Sequence, residues 1–80
     1  MRAKMEVTGV ESFQTHERVS FRAVAKNGGY PEDGSDEDNT FAKFTPNGEA
    51  KFSIANPALF GKFEAGQRYY VDFTPAGDSA

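Results

Sequence analysis

Apolar residues occupy every second position in two segments near the start of the sequence, and charged or hydroxyl side chains fill most positions between them. The apolar members are Ala3, Met5 and Val7 in the first segment and Val19, Phe21 and Ala23 in the second. Successive side chains of a β-strand point to opposite faces, so this period of two predicts strands with one buried and one solvated face. The short polar connection, residues 11–17, predicts that the two strands are antiparallel.

Three further strands are predicted downstream. Residues 40–45 and 50–54 flank Pro46-Asn47-Gly48, a strong turn signal, and this arrangement predicts a β-hairpin. Residues 69–74 alternate again between apolar and polar side chains, which predicts the last strand. The chain is therefore expected to be rich in β-structure.

Asn56-Pro57 predicts a helix start, because an Asn N-cap accepts a backbone hydrogen bond and Pro is tolerated at the first helical position. We expect one to two turns that end before Gly66. Five short strands with one short helix before the last strand predict a mainly β fold, a small five-stranded antiparallel barrel or roll. An oligonucleotide/oligosaccharide-binding (OB) barrel has the same strand count, although its helix usually lies between the third and fourth strands.

The chain is predicted to form a single domain over residues 1–76, with a frayed tail at residues 77–80. It has no Cys, and its only imidazole, His16, lies in a polar connection where a surface role is expected. We therefore predict no disulfide, no zinc site and no cofactor, and we assign no metal-binding residue. No apolar run reaches signal-peptide or membrane-span length, so a soluble chain without a membrane partner is expected.

Aromatic residues are expected to fill the core, because the sequence contains eight Phe and three Tyr but only one Ile and one Leu. The predicted core rings are Phe21, Phe52, Phe60, Phe63, Tyr69 and Phe73. Other rings lie in or beside loops and are candidates for a contact surface or a homo-oligomer interface. These are Phe13, Tyr30 and one of Phe41 or Phe44.

Residues 30–39 are predicted to form a mobile acidic loop, because they hold Pro31, Gly34 and no aliphatic residue. Such a segment buries too little surface to offset its ordering entropy unless a partner binds it. The candidate partner-binding residues are Tyr30, Glu32, Asp33, Asp36, Glu37, Asp38 and Phe41. Three interpretations stay open: a solvated loop, a weak calcium or magnesium site without EF-hand spacing, or a mimic of nucleic-acid phosphates that docks on a basic partner.

The outward side chains of the predicted strands offer an alternative binding surface for nucleic acid. Its residues are Arg2, Lys4, Arg18, Arg22, Lys51 and Tyr70. Cations that follow a phosphate backbone beside a ring on which bases stack are typical of single-strand binding. The plainer interpretation is that these charges keep the sheet soluble and prevent edge pairing. The net charge of −3 also argues against tight nucleic-acid binding.

Parts of the sequence resemble small proteins encoded by tailed bacteriophages. The segments that carry the likeness are Met1–Val7, Asp38–Gly48, and Asn56-Pro57 continuing into Phe63–Ala76. The resemblance carries over no catalytic or ligand residue. It implies a phage or prophage source, and the host bacterial cytoplasm or a virion as the location.

No Ser lies in a nucleophile-elbow setting and no second His exists to activate one, so we predict that the protein is not an enzyme. The favoured hypothesis is a phage accessory protein that binds a host or phage macromolecule, above all a protein, as an inhibitor or modulator. The alternatives are a single-stranded nucleic-acid-binding protein and a virion structural or decoration protein that forms homo-oligomers.

Overall fold

The computed structural model describes residues 1–77 and shows one four-stranded antiparallel sheet with almost no helix. The strands are β1 (Arg2–Ser12), β2 (Glu17–Ala23), β3 (Glu49–Ile54) and β4 (Arg68–Asp72). Their order across the sheet is β3-β2-β1-β4, so β3 and β4 form its two edges. The prediction of a mainly β, antiparallel fold is confirmed, whereas the five strands and the closure into a barrel, OB-like or otherwise, are wrong.

The core lies on one face of the two central strands. Its buried hydrophobic residues are Ala3, Met5, Val7, Val19, Phe21 and Ala23. These are the two alternating sets that predicted the first strands, so that part of the prediction is confirmed. They are buried because side chains of the edge strands, and Phe63 from the segment that crosses this face, pack against them.

Two of the predicted core rings are exposed. Phe52 on β3 and Phe73 just after β4 have 54% and 55% of their surface exposed. Both lie at edges of a sheet that does not close, so no strand covers them from the other side. Phe60, Phe63 and Tyr69 are half-buried, which leaves Phe21 as the only fully buried ring of the six in the part of the chain described.

β1 is longer than its alternation predicts. It continues to Ser12, so the connection to β2 is only residues 13–16 and the predicted connection over residues 11–17 is wrong. The register shifts between Val7 and Gly9, and beyond this bulge Val10 pairs with Val19. The extra residue of the bulge moves the apolar positions from odd to even numbers. Alternation counted from the start of the strand therefore fails to predict its second half.

The strand predicted at residues 40–45 does not form. This segment is a series of turns, in which the Ala42 main-chain N–H donates to the carbonyl of Asn39 at 3.0 Å. Phe44 has φ of +61°, a left-handed conformation that cannot continue a strand. The Pro-Asn-Gly turn therefore does not close a hairpin, and β3 pairs with β2 instead.

The helix is limited to one 3-10 turn, Pro57–Leu59, between β3 and β4. The predicted cap is confirmed, since Asn56 Oδ1 accepts from the Ala58 N–H at 3.1 Å. Gly61, at φ of +76°, turns the chain away directly afterwards. Because β3 and β4 are opposite edges, the connecting residues 55–67 must cross the sheet, and they do so over its apolar face.

The molecule is thin and extended for its length. Its principal extents are 48 × 35 × 16 Å, and its radius of gyration is 14.8 Å. A compact chain of this length would have a radius of gyration of about 12 Å. One sheet with a partial cover leaves apolar side chains open to solvent, and these define the candidate sites below.

Candidate functional site

The acidic loop is anchored to β1 by the side chain of Asn39, which is fully buried. Its Oδ1 accepts from the Lys4 main-chain N–H at 2.9 Å, and its Nδ2 donates to the Val24 carbonyl at 2.8 Å. The next residue, Thr40, donates its main-chain N–H to the carbonyl of Arg2 and accepts from the Arg2 N–H on its hydroxyl. These groups complete the hydrogen bonding of β1 where β2 has ended.

Asp36 holds Asn39 in place and is itself 4% exposed. Its Oδ1 accepts from the main-chain N–H groups of Asp38 and Asn39, and its Oδ2 accepts from Asn39 Nδ2 at 3.1 Å. Burial acts to raise the pKa of Asp36, but these hydrogen bonds outweigh burial and hold the pKa below its ordinary value. The expectation that residues 30–39 bury little is therefore wrong for Asp36 and Asn39, while their mobility stays a prediction.

Asp38 brings the two predicted binding surfaces together. It lies 3.5 Å from Lys4 Nζ and accepts a hydrogen bond of 3.0 Å from the Tyr70 hydroxyl. Arg2 lies over the Tyr70 ring at 4.6 Å and pairs with Asp72 at 2.7 Å. A carboxylate of the acidic loop thus occupies the position where a phosphate would bind in the nucleic-acid hypothesis.

Neighbouring groups shift the pKa values of three residues in this cluster. The hydrogen bond to Asp38 and the nearby negative charge raise the pKa of the Tyr70 hydroxyl. The hydrogen bond and charge of Asp72 raise the pKa of Arg2, and Arg2 lowers the pKa of Asp72 in return. These shifts stabilise protonated Tyr70, protonated Arg2 and ionised Asp72, which are their states at neutral pH.

The remaining part of the acidic loop packs on itself. The Tyr30 and Phe44 rings meet edge to face at 5.9 Å, and Phe44 covers Gly34. Glu37 pairs with Lys26 at 3.2 Å.

Three other predicted partner-binding residues, Glu32, Asp33 and Phe41, are exposed. A main-chain hydrogen bond from Ser35 lowers the pKa of Asp33. Glu32 and Asp33 form no ion pair within residues 1–77, so they are the acids of the loop left available to a partner.

The other cations of the predicted nucleic-acid surface are spread along the polar face. Arg18 lies 3.8 Å from Glu11 and 5.5 Å from the centre of the Phe13 ring. Arg22 and Lys51 make no ion pair among the described residues, and they lie across β2 and β3 from Glu49 and a serine, respectively. Acids are interleaved throughout, so the predicted residues do not form a continuous cationic face.

An apolar groove lies between β3 and the crossing segment, and we call it the β3 groove. It has a volume of about 290 Å³ and is lined by Phe21, Phe52, Ser53, Ile54, Leu59 and Phe63. The buried Phe21 ring forms its base and meets Phe52 and Phe63 edge to face at 5.9 and 5.8 Å. Phe52 and Leu59 remain largely exposed at its rim.

A buried carboxylate, Glu17, fixes the crossing segment on the apolar face. It accepts from the Gly61 N–H with both oxygens at 3.3 Å and from the Ser12 hydroxyl at 3.4 Å. The sequence offered a signal for this role, because Glu17 shares the odd-numbered register of Val19 and Phe21. It was assigned to a polar connection instead.

Within residues 1–77, no three His, Cys, Asp or Glu side chains are grouped so that they could hold a metal ion. The same residues contain no helix with the length and apolar character needed to cross a bilayer. Comparison with known protein families, with curated proteins and with solved structures finds no match to this chain. The resemblance to phage proteins therefore stays a prediction.

Proposed function

We propose that the protein is a non-enzymatic protein-binding domain and that the β3 groove is its docking surface. The observation that carries the proposal is the exposure of Phe52 on the apolar face, beside a groove with the buried ring of Phe21 at its base. Soluble proteins seldom expose contiguous apolar patches larger than a few hundred Å², and such patches commonly mark an interaction site.

The shape and chemistry of the groove support a protein partner over a small substrate. Its lining contains no acidic or basic side chain, so the groove offers no group for acid-base chemistry and none that could activate the Ser53 hydroxyl as a nucleophile. Its volume is at or below the roughly 300–1,000 Å³ of small-molecule sites, which suits one or two apolar side chains. Aromatic rings such as Phe52, placed over a desolvated base, are suited to anchor such a contact.

The resemblance to tailed-phage proteins supplies the proposed setting. It supports a host or phage protein as the partner, and the host cytoplasm or a virion as the location. The nucleic-acid alternative has less support from the geometry, because Asp38 already occupies Lys4 and Tyr70. Displacing that carboxylate would add to the cost of binding a phosphate.

The proposal is tested by affinity capture from the host with matched variants. We expect Phe52→Ser to reduce capture of the partner by roughly tenfold or more, since truncating a hot-spot ring costs about 2 kcal/mol or more. Phe13→Ser is the control, because Phe13 is 46% exposed but lies outside the groove. Equal capture by wild type and Phe52→Ser would contradict the proposal.

A third variant tests the acidic loop as the competing surface. Glu32→Gln with Asp33→Asn removes the two unpaired charges and leaves the buried Asp36 anchor intact. Loss of capture in this variant alone would assign docking to the loop.

A further inference from the structure

Among residues 1–77, the outward main-chain groups of the edge strand β4 have no hydrogen-bond partner. Met1 and Phe73 exchange main-chain hydrogen bonds, at 3.3 and 2.8 Å, across β1 and β4. Bonded and non-bonded pairs alternate along an antiparallel ladder. Counting in steps of two from this pair, the N–H and C=O groups of Arg68, Tyr70 and Asp72 point away from β1.

The sequence of β4, Arg-Tyr-Tyr-Val-Asp, is complementary to itself when two copies run antiparallel. With Tyr70 opposite Tyr70, Arg68 faces Asp72 of the second copy and Tyr69 faces Val71. Opposite charges and aromatic–β-branched pairs directly across a ladder are stabilising. This register also places the three outward-facing residues opposite one another, so all their main-chain groups become bonded.

Other registers lose this match. A slip of one residue places the polar side chains of one strand on the same side of the joined sheet as the apolar side chains of the other. A slip of two residues places Arg68 or Asp72 opposite Tyr70 and removes both opposite-charge pairs. We call the register with Tyr70 opposite Tyr70 the centred register. It is the one that combines opposite charges across the ladder, matching faces and a full set of main-chain hydrogen bonds.

The surroundings of β4 continue the same pattern. Arg68 already pairs with Glu6 at 3.0 Å, and Asp72 pairs with Arg2 at 2.7 Å. Joining two β4 edges extends these pairs into a row of alternating charge across both sheets. On the apolar face, the exposed Phe73 comes to lie diagonally across from Tyr69 of the second copy.

We propose that two copies of this chain pair through β4 in the centred register and form one continuous eight-stranded sheet. The partner at this edge is a second copy because the strand is self-complementary about Tyr70, as a two-fold axis requires. The β3 groove lies at the opposite edge and stays open. This inference therefore stands or falls independently of the proposed function.

The first test measures mass and amide exchange on the full chain. We expect sedimentation velocity to show a shift from monomer to dimer between about 1 µM and about 500 µM, the range suited to a small interface. Amide exchange at Arg68, Tyr70 and Asp72 should slow as the dimer forms. The Lys51 amide is the internal control, because it points outward from the other edge. A monomer mass at every concentration overturns the proposal.

Substitutions at Tyr70 test the strand pairing itself. Tyr70→Pro removes an outward N–H and places a ring on the edge, while the bonded pairs of β1 and β4 use the neighbouring residues. We expect it to abolish the dimer. Tyr70→Thr removes the same side chain but keeps the N–H, and should dimerise within roughly tenfold of wild type. Dimerisation of Tyr70→Pro at wild-type strength overturns the proposal, provided that circular dichroism shows it folded.

A charge swap tests the register and the identity of the partner. Arg68→Glu alone and Asp72→Lys alone each place like charges at both ends of the pairing, and each should weaken the dimer by roughly tenfold or more. An equimolar mixture restores opposite charges at both ends, so native mass spectrometry should show a heterodimer. Within its own chain each variant also turns one exposed ion pair into a like-charge contact, with Glu6 or with Arg2, so circular dichroism must show that each variant is folded. A mixture that associates no better than its components overturns the register.

Discussion

Asn39 is the residue on which the position of the acidic loop depends, and Asn39→Ala is the substitution that tests it. The change removes the acceptor for the Lys4 N–H and the donor to the Val24 carbonyl, which are bonded at 2.9 and 2.8 Å. It also removes the donor to Asp36. Solvent water does not take over these hydrogen bonds, since Asn39 is fully buried.

The expected loss follows from the groups left without partners. Each buried main-chain group that loses its hydrogen bond costs about 1–3 kcal/mol, so two cost about 4 kcal/mol together. A domain of this length has a total free energy of unfolding of about 4–12 kcal/mol. We therefore expect the melting temperature to fall by at least about 15 °C.

Thermal and urea unfolding followed by circular dichroism measure this loss. Asn27→Ala is the matched control, because Asn27 is exposed and should change stability by no more than about 0.5 kcal/mol. Asn39→Asp keeps the acceptor for Lys4 but loses both donors and adds a charge beside Asp36, so it should be destabilised at neutral pH as well. A free energy of unfolding for Asn39→Ala within about 0.5 kcal/mol of wild type would refute the anchoring role.

Two further predictions concern the same loop. Gly34→Ala should destabilise the protein more than Gly28→Ala in thermal unfolding. Both glycines have positive φ, but only at Gly34 would an added Cβ clash with the Phe44 ring. Equal losses would show that the ring moves freely. Asp36 has a lowered pKa in the folded protein, so its contribution is present above the unfolded pKa of about 3.9 and is lost as the pH falls through the folded value. Wild type should therefore lose more stability than Asp36→Asn between about pH 5 and pH 2, and parallel losses in calorimetry would argue against this.

The sequence predicted the centre of the sheet well and its edges poorly. Strands β1 and β2 have neighbours on both sides, so their faces are set by alternation alone, and Val7 and Val19 are buried as expected. Phe52 follows the same alternation on β3, yet it is exposed. Burial at an edge depends on whether the sheet closes, and no local pattern carries that information.

The candidate sites were likewise predicted only in part from the sequence. The acids of residues 30–39 were found from composition, but Asn39 acts through bonds to Lys4 on β1 and to Val24 just after β2, which no spacing reveals. Phe41 and Phe44, three residues apart, do not fit a period of two, yet residues 40–45 were predicted to form a strand, and the segment forms turns instead. The β3 groove was missed because its lining comes from β2, β3 and the crossing segment together.

The sheet order also sets the sequence of events in folding. β1 and β2 are joined by four residues, whereas Arg2 and Asp72, which pair across β1 and β4, are 70 positions apart. Loop-closure entropy rises with the length enclosed, so we expect the local hairpin to form early and β4 to dock late. Until β4 docks, one edge of β1 is unpaired and can pair with an extended segment of another chain. We expect newly synthesised molecules to be most prone to misassembly in this interval.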